Sequence, residues 1–462
     1  MWIINLLMKI GEVIRRMFSR DRLNTATGEQ VTLSTEMIQA IEKWYLMITG
    51  KAPWVNLTDD DGVKSLHLES QICREFTNVA LSEMDTHIEN EALNEIYQKA
   101  LGTLNENMQM GLALGTFVIK PIGSTGGWEY IPADRIIPLE FASDGSLRRC
   151  AFVQVKPIGD YDVYYRLEIH ELSPEGLRIR NRAFKGTKGE FGNEISITAV
   201  QEWADLAPDV LYPGMDRMDF GYYRNPLPNK IDGSMTGVSI YADAEDLIRK
   251  ADIQFGRLDW EYSSGERLVF ADYTALKKVQ SGSGYKWKAP KGKDKMFVGV
   301  DGAENMWQEH SPEIRDESFI NGLNEYKRQI EHAVSLSYGD LSKGDEVVEK
   351  TAQEIKASQN RKYNQVNAIQ NNLKQCLEGF AEALAFYAAM YTQDIGFECT
   401  FHDSIKTDEE TERAQDRIDV QMGVMSKIEY RQKWYGEDEK TAAQKIADVT
   451  AALMGQSGGE MS

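Results

Sequence analysis

Two helical stripes on either side of one acidic break constrain this chain more than any other stretch of its 462 residues. Phe319, Leu323, Tyr326, Ile330 and Ala333 step by four and three, which puts one apolar stripe on one face of a helix. The break from Tyr338 to Thr351, YGDLSKGDEVVEKT, holds two glycines and four carboxylates. Beyond it, Val366, Ile369, Leu373, Leu377, Phe380, Leu384 and Tyr387 keep the stepping for more than twenty residues, with Gly379 the one glycine and no proline. At about 1.5 Å per residue, that second helix outruns most helices of a compact enzyme. Long helices joined by a charged loop predict a mechanical or assembly part, not a catalytic pocket.

Composition narrows the classes. A chain of this length buries substantial cores and divides into about two to four domains. Its 42% hydrophobic and 10% aromatic content is that of a folded protein. The formal net charge of −20 argues against gripping nucleic acid, which is built on Lys and Arg. It does not argue against a surface that DNA slides past without sticking. Cys73, Cys150, Cys376 and Cys399 lie far apart with no CxxC pair, so the expectation is reduced, buried thiols and neither a disulfide scaffold nor a zinc site.

The N-terminal MWIINLLMKIGEVIRRMF places Trp2, Leu6, Ile10 and Val13 or Ile14 on one helical face. It lacks a cleavage site, and Lys9 interrupts its apolar run, so it reads as a segment docking on a partner subunit, with a membrane-surface helix as the alternative. No apolar stretch reaches membrane-spanning length, and no stable membrane association is expected. A polar linker is expected over 21–32, then helices opening at Ser34-Thr35-Glu36, at Leu66 to Leu81 and at Leu93 to Met108. From Gly111 to about residue 210 the β-rich segments between Gly, Pro and Asp turns predict an antiparallel sheet region. Helical pattern returns at Ser239 with Ala244, Leu247, Ile248, Ala251, Phe255 and Leu258 as its apolar face. A small β-like island follows over 265–312, and a short strand at Gly396 to Ile405 precedes a charged, helical end.

Catalytic signatures are missing. Gly50-Lys51-Ala52 and Gly292-Lys293-Asp294 both lack the hydroxyl residue and the leading glycine of a phosphate-binding loop. The six histidines are scattered, and strand alternation sets Cys399 and His402 on opposite faces. No enzyme activity, cofactor or metal is expected. The glycine-rich segment from Ser281 carries Lys286, Trp287, Lys288, Lys291, Lys293 and Lys295 and reads as a solvated loop or docking surface, with contact to DNA phosphates as the alternative.

Three separate segments carry a family resemblance. They are FGYYRNPLPNKIDGSMTGVSIYADAEDLIRKADIQFGRLDWEYSSGE from Phe220, SLSYGDLSKGDEVVEKTAQEIKAS from Ser335, and GLALGTFVIKPI with PADRIIP between Gly111 and Pro138. In this order the chain resembles portal proteins of tailed bacteriophages, particularly long, non-contractile-tailed phages of Gram-positive hosts, over roughly residues 35–450. The resemblance implies an α+β portal fold assembled as a ring of about twelve copies, a dodecamer, around a DNA channel. It assigns 1–34 to an N-terminal arm, 35–238 to a wing, 239–264 and 315–337 to two stem helices, and 265–314 to a clip. It assigns 338–351 to a tunnel loop, 352–405 to a long wing helix and strand, and 406–462 to a crown. Trp287, Lys286, Lys288, Lys291 and Lys293 would then serve clip docking.

The implied function is a conduit at one capsid vertex for genome packaging by terminase and later ejection, and a platform for head–tail connectors. Implied partners are further copies of itself, terminase, a head–tail adaptor, the major capsid and scaffolding proteins, and double-stranded DNA passing non-specifically. The implied location is the virion, after assembly in the host cytoplasm. Asp340, Asp345, Glu346 and Glu349 would repel the DNA backbone, Lys343 and Lys350 would touch it transiently, and Gly339 and Gly344 would permit loop movement. The rival readings are a membrane- or partner-associated scaffold without a conduit and a packaging enzyme.

Overall fold

The structure is a computed structural model describing residues 19–55, 62–82, 84–123, 126–158, 162–187, 190–264, 268–272, 277–281, 284–288, 297–300, 307–310, 313–343, 352–390, 395–401 and 409–457. From 264 to 310, and at 352–358, 409–412, 414 and 449–457, the backbone alone is described. The chain is mixed α+β and divides into two compact units, residues 1–82 with 86–399 and residues 83–85 with 400–462.

The first described helix of the larger unit is α1 (Arg20–Thr27), where a polar linker was expected. Ser19 caps it by accepting the Arg22 N–H, Gly28 ends it in the left-handed region, and Leu23, Ala26 and Thr27 are buried. A helix this short and polar shows little periodicity; it is held by tertiary contacts such as Arg182 Nη1 donating to the Ala26 carbonyl at 2.8 Å. Helix α2 (Thr35–Ile48) starts at the Ser34 cap, and α3 (Leu68–Leu81) follows. The single helix expected to end near Met108 is two helices, α4 (Glu91–Leu101) and α5 (Leu104–Leu114), broken at Gly102 and Thr103. The strand expected from Gly111 begins only after Gly115, which ends α5 at φ 96°. Its short apolar run fits helix or strand equally, and the packing of Gly111 on the Phe117 ring resolves it as helix.

Strands β2 (Thr116–Ile122), β3 (Gly127–Pro132) and β10 (Gly221–Arg224) form an antiparallel sheet in the order β10–β2–β3. Strands β4 (Ile136–Phe141), β5 (Leu147–Ile158), β6 (Asp162–Ser173), β7 (Gly176–Thr187) and β8 (Glu190–Ile195) form a second sheet in chain order, with β9 (Asp209–Pro213) also pairing with β7. Its long neighbours β5, β6 and β7 are antiparallel throughout.

Helix α6 (Glu245–Ser264) and helix α7 (Asp316–Ala333) pack on each other. Between them in sequence stand the strands β11 (Leu268–Asp272), β12 (Lys277–Ser281), β13 (Gly284–Lys288), β14 (Phe297–Val300) and β15 (Trp307–His310). β11 pairs with β14 in parallel and with β15 antiparallel, while β12 and β13 make a hairpin. Helix α8 (Ala352–Tyr387) is 36 residues long, about 54 Å. Its predicted seam is the core of the unit: Ile369, Leu373, Leu377 and Phe380 are fully buried, and the helix runs along β10 and β2. Gly379 interrupts the seam for a reason. A Cβ there would sit 3.1 Å from the Phe220 carbonyl, and one on Gly221 would meet the Cys376 carbonyl at 2.0 Å. Helix and strand therefore approach backbone to backbone.

In the smaller unit, α9 (Glu409–Met422), α10 (Lys427–Tyr435) and α11 (Glu439–Ser457) follow one another. Ser426 and Glu429 form a reciprocal capping box at the start of α10. Polar contacts hold these helices: Asp416 accepts from Lys433 at 2.7 Å and from Trp434 Nε1 at 2.8 Å, and Glu437 takes both Arg431 and Lys445. Strand β1 (Met84–Ile88) pairs with β16 (Phe397–Phe401). All four cysteines are buried.

Candidate functional site

The acidic break begins as an ordered corner built by α7. Helix α7 ends when Val334 caps it and Ser335 turns into the left-handed region at φ 66°. The chain then folds back over the last turn of the helix. Glu331, wholly buried, accepts the backbone N–H groups of Gly339 at 3.1 Å, Leu341 at 2.6 Å and Ser342 at 2.7 Å, and the Ser342 hydroxyl at 2.9 Å. One carboxylate thus satisfies four donors, each a charge-assisted bond. One helical turn and more earlier, Asn324 reads both backbone groups of Lys343, accepting its N–H at 2.7 Å and donating to its carbonyl at 3.3 Å. From the other side, Lys362 of α8 pairs with Asp340 at 2.8 Å, and Asp340 also accepts the Ser337 N–H at 2.9 Å. The Arg361 guanidinium lies 5.7 Å from the centre of the Tyr338 ring. Residues 337–343 are therefore fastened to two helices by four side chains, Glu331 and Asn324 of α7 and Lys362 and Arg361 of α8.

Of the predicted loop residues, Asp340 and Lys343 lie in this corner, Asp340 in an ion pair and Lys343 exposed with its backbone clamped. Gly344, Asp345, Glu346, Glu349 and Lys350 lie outside the described residues. In the predicted docking segment, Lys286, Trp287 and Lys288 stand on β13, with Trp287 opposite Lys278 and Lys288 opposite Lys277 in the ladder. Lys291 and Lys293 lie outside the described residues, as do the arm residues 1–18 and His402. Sequence reasoning missed Glu331 and Asn324. Both occupy polar positions of an amphipathic helix and read there as solvated face. The available signal was the Gly-Asp-Leu-Ser turn within one helix-width of them, whose N–H groups need an acceptor.

The α6–α7 pair leaves apolar surface uncovered. Along the predicted α7 stripe only Ile330 is buried, while Phe319, Leu323 and Tyr326 are half-buried. Ile320 is exposed at 43%, and Trp260, Tyr262 and Ile314 near the ends of the pair at 58%, 44% and 44%. Glu261 ties those ends together, taking Arg315 Nε at 3.0 Å, Nη2 at 2.7 Å and its backbone N–H at 3.1 Å. The hydrogen bonds from Arg315 hold the Glu261 carboxyl below its usual range.

A second charged cluster lies under the sheets. Lys120 of β2 donates to both oxygens of Glu168 at 2.9 and 3.1 Å, and Arg166 Nη2 reaches Glu168 at 2.7 Å. His170 faces Glu168 through Nε2 at 3.0 Å and Asp219 through Nδ1 at 2.7 Å, while Tyr387 of α8 donates to Asp219 at 2.7 Å. Burial opposes each of these charges, and their partners overcome it. Lys120 holds its proton more tightly than usual, Glu168 and Asp219 are held below the carboxylate range, and His170 is raised to about 9 by Asp219 and Glu168. An imidazole with a carboxylate on each nitrogen is a double donor, which is the cation. The arrangement is a closed set of pairs that pins α8 to the sheets.

Among the described residues, no group of three or more His, Cys, Asp or Glu is placed to hold a metal ion, and no helix is long and apolar enough to cross a membrane. No family model matches the chain, and no curated protein matches it.

Proposed function

We propose that the chain is the subunit of a portal ring, a non-enzymatic conduit for double-stranded DNA at one capsid vertex. The observation that carries this reading is an ordered series. Two packed helices bracket a β island whose described strands make a three-stranded sheet and a hairpin, a clamped corner follows, and a 36-residue helix completes it. In the ring, α6 and α7 are the stem, the β island faces terminase and then the adaptor, and the corner carries the loop toward the channel. The half-covered stripe of α7 supports the reading, because a neighbouring copy would bury Phe319, Leu323 and Tyr326.

The acidic balance gives the conduit its physics. Each cation–phosphate contact adds salt-sensitive affinity, which acts as friction on a moving duplex. With twelve-fold repetition of a −20 chain, the DNA is repelled from the wall and slides. Location at the virion vertex and contacts with capsid and scaffolding proteins belong to the same proposal.

Electron microscopy of the purified chain tests it. Rings with a central hole wide enough for duplex DNA are expected, and deletion of Lys343–Glu346 should leave the rings intact while lowering packaged DNA. A chain that stays monomeric at every concentration and is dispensable for filling heads with DNA would overturn the reading.

A further inference from the structure

Helix α6 is strapped by the chain that leads into α3. Trp54 Nε1 donates to one oxygen of Asp252 at 2.8 Å, and the Leu66 N–H donates to the other at 2.8 Å. Along the same helix, Val63 lies against Gly256, where an added Cβ would stand 3.8 Å from the Val63 Cα, and Lys64 pairs with Asp259 at 3.5 Å. Asp252 is thus a buried carboxylate that fixes residues 62–66 to α6. Glu69, in the first turn of α3, is buried as well. The Ser65 hydroxyl reaches its Oε1 only at 3.4 Å, and its Oε2 is buried without a partner among the described residues. Adjoining residues, Ser65 and Leu66, therefore hold two buried carboxyl groups, and among the described residues neither is answered by a lysine or arginine. A buried carboxylate without cation or donor on one oxygen is disfavoured as the anion and sits there as the acid.

We propose that Glu69 is a proton latch: neutral, it lets the 62–66 strap and Asp252 hold α6; ionised, it sets a second anion beside Asp252 and frees the strap. Burial, with Asp252 adding to it, pushes the Glu69 carboxyl up to about 7 against the pull of its own N–H and of Ser65. The other titratable groups facing Glu69 are Cys73 on its own helix and Tyr241 ahead of α6, both kept protonated by burial. His67, exposed and left-handed at φ 54°, acts on Asp252. Once the strap opens to water, Glu69 returns to its ordinary 4.5. Opening therefore releases a proton between pH 4.5 and 7, so the strap is tight in acid and loosens as pH rises through 7. The latch stands independently of the ring reading; in a ring it would set how firmly the stem helix α6 is held.

Hydrogen exchange of the full chain, corrected for the intrinsic pH dependence of amide exchange, reads the strap at the Leu66 N–H that Asp252 accepts. With one carboxyl moving between 4.5 and about 7, the opening constant there should rise roughly seventyfold from about pH 5 to about pH 8. Glu69→Gln cannot ionise and should abolish that rise. His67→Asn, which suits the left-handed backbone, should keep it. A flat profile in the unmodified chain, or a rise that survives in Glu69→Gln, would overturn the latch. A rise lost in His67→Asn would overturn it as well, by giving the proton to the imidazole.

Discussion

Asp219→Asn isolates the charge in the buried His170 cluster. Asn keeps the shape of Asp, its carbonyl still accepts from Tyr387, and its amide donates to a neutral His170 Nδ1, so no polar atom is orphaned. What is lost is one of the two anions that hold His170 protonated, the other being Glu168. The rise from 6.5 to about 9 corresponds to about 3 kcal/mol of stability. That figure belongs to the pair, so the lowered Asp219 is not counted again. It agrees with the roughly 3–5 kcal/mol lost when one partner of a buried ion pair is removed. The sign follows from the direction: a group raised on folding contributes fully below pH 6.5 and loses that contribution as pH climbs through about 9. Urea unfolding of the full chain should therefore show the variant less stable near pH 6, on the order of the 3 kcal/mol that Asp219 and Glu168 supply together, with the gap closing by about pH 10. A titration of ¹³C-labelled histidine should place the wild-type His170 near 9 and lower it in the variant. An equal deficit at both pH values, or a wild-type His170 titrating near 6.5, would refute the electrostatic account.

Glu69 is buried with one oxygen unpaired among the described residues, and burial pushes its carboxyl up to about 7. A raised acid favours folding below 4.5 and loses that contribution as pH rises through 7, so Glu69→Gln should stabilise the chain by about 3 kcal/mol near pH 8 and be neutral near pH 4. Glu331→Ala removes the acceptor of three backbone N–H groups and one hydroxyl, at about 1–3 kcal/mol for each donor left buried. Hydrogen exchange at 339–342 should accelerate at least about tenfold with the rest of the unit unchanged, and unaltered exchange there would contradict the clamp.

Periodicity made the long elements legible. The α7 and α8 stripes, the strands between residues 116 and 213, and the α+β class all follow from spacings that burial enforces. Even the single glycine of the α8 seam was visible, although its partner Gly221 lay far off in sequence and supplied the reason. What escaped was decided across the fold. Helix α1 is too short for a periodic signal, and GLAL at 111–114 fits either period until Phe117 packs on Gly111. The charges of Lys120, Glu168, His170 and Asp219 read as ordinary strand and loop polarity because no local rule brings β2, β6 and α8 together.

The corner also redistributes the work assigned to the acidic break. Asp340 read as one of four repelling carboxylates, yet its charge is answered by Lys362 and its position is set by Ser337. Repulsion of a duplex in the proposed channel then falls to Gly344–Thr351, where Asp345, Glu346 and Glu349 outnumber Lys350. Those eight residues leave from Lys343, whose backbone Asn324 holds at both its N–H and its carbonyl. A charged segment repels usefully only if its root is fixed; otherwise the DNA would simply push it aside. If the proposed conduit exists, Glu331 and Asn324 would govern it through the root of this segment without meeting the DNA themselves.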